Sequence, residues 1–205
     1  FIRTIPNNTG DDIVANLKGV NALHQGIEVD FVYKPNTKLN IQGMASLGDW
    51  EWQNDLTNVQ IFNGQVAVGN PFDLRIAGLK VGDAAQTTAA ITVEYFIVPD
   101  VKISVDANYF ADLYANFDPL SRSTTDLGGA TGPQPWKVPD YSTVDLRMKY
   151  DFKFGNFDAT LFGNVNNVFD TEYIADANDG SGSNAASASV WYALGRTWTG
   201  GVRIN

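Results

Sequence analysis

Cysteine is absent from this chain of 205 residues, and histidine occurs once, as His24. Without thiols there can be no disulfide framework and no thiolate metal site. A single histidine also argues against a histidine-rich metal centre and against a serine–histidine–aspartate triad. On a strand, such a residue is more often a packing residue than a ligand. The sequence therefore predicts no enzymatic activity, no metal and no cofactor.

Positive charge and long apolar runs are scarce as well. Lysine and arginine number 14 against 23 acidic residues, so the net charge is -9. Such a chain cannot neutralise phosphates, and we expect no nucleic-acid partner. No stretch of 18 apolar residues occurs, which excludes a transmembrane helix. The lack of such a run does not argue against a membrane β-barrel, because barrel strands alternate polar and apolar residues.

Long alternation is what the sequence does contain, and it is clearest over residues 142–166. Even positions from Ser142 to Phe154 are mostly apolar, whereas the odd positions are almost all charged. The alternation restarts after Gly155-Asn156, so two strands of about a dozen residues meet at a tight turn, against ~5–6 residues in typical strands. Aromatic side chains gather at that turn, namely Tyr150, Phe152, Phe154 and Phe157. Long strands with one apolar face and an aromatic rim predict a hairpin that crosses a membrane.

The remaining chain repeats this pattern. Further strands are predicted over residues 13–34, 37–52, 87–98, 101–115 and 190–205. Short turns at 35–36, 99–100 and 155–156 alternate with long connections at 53–86, 116–140 and 175–188. Loops of that length usually carry function. Short turns on one side and long loops on the other predict an all-β, antiparallel transmembrane barrel. A soluble β-sandwich binding domain is the alternative, because its strands alternate as well.

Three segments resemble motifs of the TonB-dependent outer-membrane receptors. Residues 21–30, followed by Tyr33-Lys34-Pro35, resemble a barrel strand of that family. Residues 163–173 (GNVNNVFDTEY) resemble the segment N(I/V)xNLFDxxY in the penultimate strand. Residues 195–205 (GRTWTGGVRIN) resemble the last strand. Ala175-Asp176, after Tyr173, resembles members from the Bacteroidetes group.

The resemblance implies a barrel of about 22 strands with a plug domain inside. Aligned on its C-terminus, the chain (residues 1–205) corresponds to the last seven to eight strands, with residues 1–6 as the remnant of the eighth. The plug and the N-terminal barrel strands are absent from this stretch. Outward positions of the final strand end at Ile204. Because such barrels usually end on an aromatic residue, we expect the natural chain to continue with phenylalanine after Asn205.

The implied function is active transport across the outer membrane of a Gram-negative bacterium. The full receptor would bind a scarce solute at its extracellular loops and import it with energy transmitted by TonB. Its implied partners are outer-membrane lipid, the remaining barrel and plug of the same receptor, and the TonB complex. A surface lipoprotein, which lids some relatives, is a further partner that the resemblance allows. A passive outer-membrane porin is the alternative function.

Among the candidate site residues, Trp136 stands out, because it lies in a proline-flanked long connection and could stack on a ligand. Other aromatic residues lie at loop bases or in loops, and for Trp50, Trp52 and Trp191 anchoring in an aromatic belt is at least as good an explanation. We expect Asn164, Asn166 and Asn167 to be structural.

Acidic residues of the loops suggest two further interpretations. The run from Asp176 to Gly180 is similar to a calcium loop, but its glycine comes one place early and its twelfth residue is Ser187, so we predict no calcium site. Loop acids disfavour a highly anionic solute; they are Asp11, Asp12, Asp118, Asp126, Asp176 and Asp179.

Overall fold

The computed structural model describes residues 2–5, 13–124, 128 and 132–204. In these ranges the chain forms thirteen strands: β1 (Ile2–Ile5), β2 (Ile13–Asn16), β3 (Ala22–Tyr33), β4 (Leu39–Trp52), β5 (Leu56–Asn63), β6 (Val66–Leu74), β7 (Ala85–Val98), β8 (Val101–Leu113), β9 (Tyr141–Phe154), β10 (Phe157–Asn166), β11 (Ile174–Asn178), β12 (Ser189–Tyr192) and β13 (Thr197–Ile204). Single 3₁₀ turns occupy Leu120–Arg122 and Gly180–Gly182. None of the described helical segments could span a membrane.

Seven long strands form one antiparallel sheet in the order β13-β10-β9-β8-β7-β4-β3. The strands β4, β7 and β9 each have 14 residues, which confirms the long strands predicted from alternation. Short turns join β3 to β4, β7 to β8 and β9 to β10, as predicted. Long connections join the other neighbours at the opposite end of the sheet.

One face of this sheet is apolar and open. A single row crosses all seven strands: Tyr33, Ile41, Val93, Val105, Leu146, Val165 and Trp198. Leu146 is 40% exposed and Trp198 is 78% exposed. Leu146, Ile103 and Ile41 belong to neither buried core. The apolar face therefore does not pack into a dry interior of this chain, which fits strands whose outer face contacts lipid.

Two predicted strands were wrong because each divides between two sheets. The extended segment 13–34 breaks at residues 17–21, where Leu17 is buried and Gly19 has a φ of +75°. Its first part, β2, pairs with β5, and its second part, β3, pairs with β4. The last segment, 190–205, breaks at residues 193–196: β12 pairs with β11, and β13 pairs with β10.

The first long connection is more ordered than predicted. It contains the hairpin β5–β6, which turns at Gly64 with a φ of +58°. Asn63-Gly64 is a strong hairpin signal, because both residues suit the tight turn between two strands. A second sheet has the order β1-β2-β5-β6. Residues 2–5 thus pair with β2, and the large sheet of the described residues has seven strands.

The buried apolar side chains lie mainly in the connections. One core contains Ala15, Leu17, Trp52, Leu56, Val59, Leu74, Ile76, Leu79 and Phe117. A smaller core contains Leu113, Ala115, Val138 and Ala177. We call the described residues of 13–21, 53–84, 114–140 and 167–196 the cap, because they cover the long-connection end of the sheet. The molecule thus consists of an open sheet with a packed cap at one end.

Candidate functional site

The polar face of the sheet carries paired charges. Arg147 on β9 makes two hydrogen bonds to Asp106 on β8, from Nε to Oδ2 at 2.9 Å and from Nη2 to Oδ1 at 2.6 Å. Asp106 also accepts a hydrogen bond of 2.7 Å from the hydroxyl of Thr92. Bidentate pairs of this kind hold both side chains in one geometry. The charged row predicted on β9 is therefore part of a cross-strand network.

A groove of about 250 Å³ runs along this network. Its cationic lining residues are Lys102, Arg147, Lys149 and Arg203. Lys102 pairs with Glu94 at 2.6 Å, and Lys149 pairs with Asp151 at 2.8 Å. Because most of these cations have an acidic partner, the positive charge of the groove is largely compensated. No described cluster of three or more histidine or acidic side chains could hold a metal ion.

The asparagine-rich motif is structural, as predicted. Asn164 and Asn166 on β10 donate hydrogen bonds to the hydroxyls of Thr199 (3.4 Å) and Thr197 (3.1 Å) on β13. Asn167 donates its backbone N–H to Asp145 at 2.7 Å. These contacts join β9, β10 and β13 at the end where the third long connection begins.

The two C-terminal motifs contact each other directly. Asp170 accepts the backbone N–H of Arg196 at 2.7 Å, and the Arg196 guanidinium donates to the Val168 carbonyl at 3.2 Å. The motif around Asn167 and the motif that begins at Gly195 therefore form one closure of the third connection. Alternation could not have shown this contact, since both segments are irregular.

Trp136 lies half-buried in the second long connection and packs against the smaller core. Its carbonyl accepts the N–H of Ala115 at 2.8 Å. Two residues earlier, the Gln134 side chain accepts from the Lys80 N–H at 2.9 Å and donates to the Gly78 carbonyl at 2.8 Å. The segment is thus held in place by neighbours in two connections. A partly exposed indole on a fixed segment is available for a ligand contact.

The other tryptophans occupy three different environments. Trp52 is buried in the larger core, so the aromatic-belt interpretation is wrong for this residue. Trp50 stacks on His24, with ring centroids 5.0 Å apart, on the polar face. That contact confirms His24 as a packing residue. Trp191, on β12, is 54% exposed.

Three aromatic rings stack at the long-connection end of the polar face, and alternation does not predict this stack. Phe110 and Tyr141 stack at 4.9 Å, and Tyr141 and Tyr173 stack at 4.0 Å between centroids. Phe110 and Tyr141 face each other across β8 and β9. Register could have suggested the first pair, but Tyr173 joins from the third connection, which only the tertiary structure shows.

The loop acids have separate roles. Asp179 binds Arg122, with 3.0 Å between Oδ2 and Nη2, and both side chains are fully buried. Asp118 is also buried, whereas Asp176 is exposed. Asp11, Asp12 and Asp126 lie outside the described residues. Asp118 and Asp179 are therefore too buried to repel an anionic solute at the surface.

Comparisons with known proteins agree with this architecture. A family model described as TonB dependent receptor-like, beta-barrel, matches residues 1–168. The chain therefore belongs to the family of TonB-dependent receptor-like β-barrels. Nothing tests the assignment to the Bacteroidetes group, which stays a prediction.

One similar solved structure is the siderophore receptor PiuA from Acinetobacter baumannii. It shares 17% sequence identity with this chain at a TM-score of 0.56. The alignment covers 93% of this chain and 25% of the receptor, so the chain spans about a quarter of that receptor's length. No curated protein matches the sequence.

Proposed function

We propose that this chain is part of an active transporter in the outer membrane of a Gram-negative bacterium. The transporter binds a scarce solute at its outer loops and imports it with energy that TonB transmits from the inner membrane. The observation that carries the proposal is the open apolar face of a seven-stranded sheet in a member of this family. The partners are outer-membrane lipid, the remaining barrel and plug of the same receptor, and the TonB complex.

The height of the apolar face supports contact with lipid. On β9 this face extends from Val144 to Phe154, which at ~3.3 Å per residue is roughly 33 Å along the strand. A strand tilted by about 40° spans ~25 Å of membrane over that length, the height of the apolar band of outer-membrane barrels. Beyond the band, at the cap end, Lys80 binds Asp49 and Glu51. Those hydrogen bonds raise the pKa of Lys80. A charged cluster at this level supports a membrane–water boundary there.

The edges of the sheet support its place in a larger barrel. Neighbouring strands are antiparallel, so in a sheet of seven strands the two edge strands, β3 and β13, run in the same direction. Direct pairing between them would be parallel. An antiparallel barrel therefore needs an odd number of further strands, and open edges are not tolerated in lipid. We propose that the rest of the receptor supplies these strands.

Genetics on the living cell tests the transport role. The gene is disrupted, and growth is compared on limiting ferric siderophore, cobalamin or oligosaccharide; the siderophore comes first because of the structural neighbour. We expect one of these growth phenotypes to be lost, and to be lost equally when tonB is disrupted. Uptake that persists without TonB would identify a passive porin instead. Recovery of the protein in the soluble fraction would favour a β-sandwich domain.

We further propose that Trp136 contacts the solute. In the intact receptor, Trp136→Ala should weaken binding of the transported solute about tenfold or more, as expected for an aromatic anchor. The matched control is Trp191→Ala, because Trp191 lies in the third connection and is more exposed. Equal affinities of both variants and of the unmodified receptor, measured by calorimetry, would remove Trp136 from the site.

A further inference from the structure

Arg122 is the largest fully buried side chain of the described cap. It ends the 3₁₀ turn Leu120–Arg122 in the second long connection. Arginine is almost never fully buried unless it is paired. Its surroundings therefore show what holds the guanidinium inside the cap.

The groups of Arg122 reach all three long connections. Its Nη2 donates to Asp179 Oδ2 at 3.0 Å and to the Ser183 hydroxyl at 2.7 Å, both in the third connection. Its Nη1 donates to the carbonyl of Pro133, near the far end of its own connection. Its backbone carbonyl accepts the N–H of Arg75, in the first connection, at 2.9 Å. One residue thus contacts every connection of the cap.

Backbone pairs surround this junction. Asn116 donates its N–H to the Ala177 carbonyl at 2.7 Å, and its own carbonyl accepts from Asp179 at 2.9 Å, which joins the second and third connections. Thr124 donates to the carbonyl of Asp73 at 2.9 Å, which joins the second and first. These bonds flank the Arg122 side chain in sequence and join the same three connections.

The charges at the junction make the arginine necessary for this arrangement. Asp179 also accepts the N–H of Asp118 through Oδ1 at 2.8 Å, and burial raises the pKa of both carboxyl groups. Arg122 is the cation that faces them. Without it, no cation of the described residues would pair with Asp179, and removing one partner of a buried pair is strongly destabilising.

We infer that Arg122 is a positioning residue that couples the three long connections into one body. Its guanidinium joins the second connection to the third, and its backbone carbonyl joins the second to the first, so loss of the side chain should loosen all three. This coupling holds for any solute and does not depend on a contact at Trp136, so it can fail while the proposed transport role stands.

Hydrogen exchange on the intact receptor, in detergent or in vesicles, tests the coupling. In Arg122→Met, exchange should accelerate on the order of a hundredfold, the expected consequence of breaking a buried ion pair. It should do so together in peptides from all three connections, which cover residues 73–79, 114–123 and 175–183. Peptides of the sheet, residues 101–113 and 141–154, should keep their exchange rates.

The matched control is Arg75→Met. Arg75 pairs with Asp55 at 2.7 Å, and both residues lie in the first connection. Its loss should accelerate exchange in residues 73–79 alone. If Arg122→Met changes only the second connection, or changes the sheet equally, the inference is wrong.

Two further variants keep the test decisive if Arg122→Met does not assemble. Asp179→Asn keeps an acceptor for the Asp118 N–H but loses the charge, and should show the same three-part pattern. Arg122→Lys keeps the charge but has a single donor group, and should restore part of the protection. Assembly is followed by the shift in gel mobility on heating. A pattern confined to one connection in the variants that do assemble overturns the inference.

Discussion

At the scale of single residues, Asn167 shows how one side chain can close a strand. Its φ of 51° lies in the left-handed region, which asparagine tolerates better than most residues. Its amide donates to the Thr171 carbonyl and accepts the Thr171 N–H, both at 2.9 Å. The side chain therefore replaces the pairing that β10 loses where it ends.

We predict that Asn167→Ala lowers the stability of the receptor by about 1–3 kcal/mol, because it loses these bonds and keeps a strained backbone. Asn167→Gly removes the same bonds but adopts the same φ without strain, so it should lose less. Urea unfolding of the receptor in lipid vesicles measures both values. Equal losses would show that the backbone conformation contributes nothing.

Two buried or partly buried acids of the cap should respond to pH with opposite signs. Burial raises the pKa of Asp118, so its cost to folding appears as the pH rises past the value of an unfolded aspartate and is complete above its folded pKa. Burial also opposes ionisation of Asp55, but hydrogen bonds from Ala77, Arg75 and Ile76 outweigh it and lower the pKa. That stabilisation is lost as the pH falls through the folded pKa.

Asp118→Asn should therefore stabilise the cap at pH 7, and the gain should vanish at about pH 3, below the usual aspartate pKa. Its amide oxygen can still accept the Leu120 N–H, a bond of 3.0 Å in the native cap. Asp55→Asn should destabilise the cap at pH 7 and less so at low pH. Protease resistance of the cap across this pH range compares the two variants, and a shared sign would contradict the assignment.

At the scale of elements, alternation found the long strands of the seven-stranded sheet. Strands β4, β7, β8 and β9 begin and end within about two residues of the predicted bounds, because one face must be apolar over the whole band. The hairpin β5–β6 was missed, since its apolar residues pack into the cap and follow no long period. Trp136 was proposed as a ligand contact from its position in the sequence alone. Only the tertiary structure shows that the side chain of Gln134 holds this segment against Lys80.

A charge introduced at either of two positions on β9 should distinguish the apolar face of the sheet from its polar face. Leu146→Arg places a cation on the apolar face and should cost about 2–4 kcal/mol if that position lies near the middle of the bilayer. Thr143→Arg adds the same side chain on the polar face, where charged neighbours and water are available, and should assemble normally. The fraction of heat-modifiable receptor in outer membranes measures both. Normal assembly of Leu146→Arg would contradict contact with lipid.

At the scale of the whole molecule, the sheet and the cap are stabilised in different ways. The sheet is held by cross-strand hydrogen bonds and, in our proposal, by lipid on its open face, whereas the cap has its own dry cores. Trp52 joins the two, because it ends β4 and packs edge to face on Phe117, with centroids 6.3 Å apart and an interplanar angle of 89°. Because the cores of the cap are its own, we expect the cap to loosen without unfolding the sheet.

Phe117→Ala tests this division. Truncating a buried phenylalanine typically costs 3–5 kcal/mol, and the loss should appear as faster proteolysis and hydrogen exchange in the cap. Heat-modifiability of the barrel should be unchanged. Phe154→Ala is the control, since Phe154 is exposed beside a short turn at the opposite end of the sheet. A collapse of the barrel in Phe117→Ala would mean that cap and sheet fold as one unit.

The sequence by itself determined the class of the fold, the two faces of the long strands and the division into short turns and long connections. It could do so because each long strand has one apolar and one polar face over its length, and a shift of one residue would exchange the two faces. The tertiary structure decided the rest: the pairing of β1 with β2, the cores of the cap and the junction at Arg122. The junction depends on contacts such as Arg122 with Asp179, 57 positions apart in irregular segments, where no periodicity of the sequence indicates the partner.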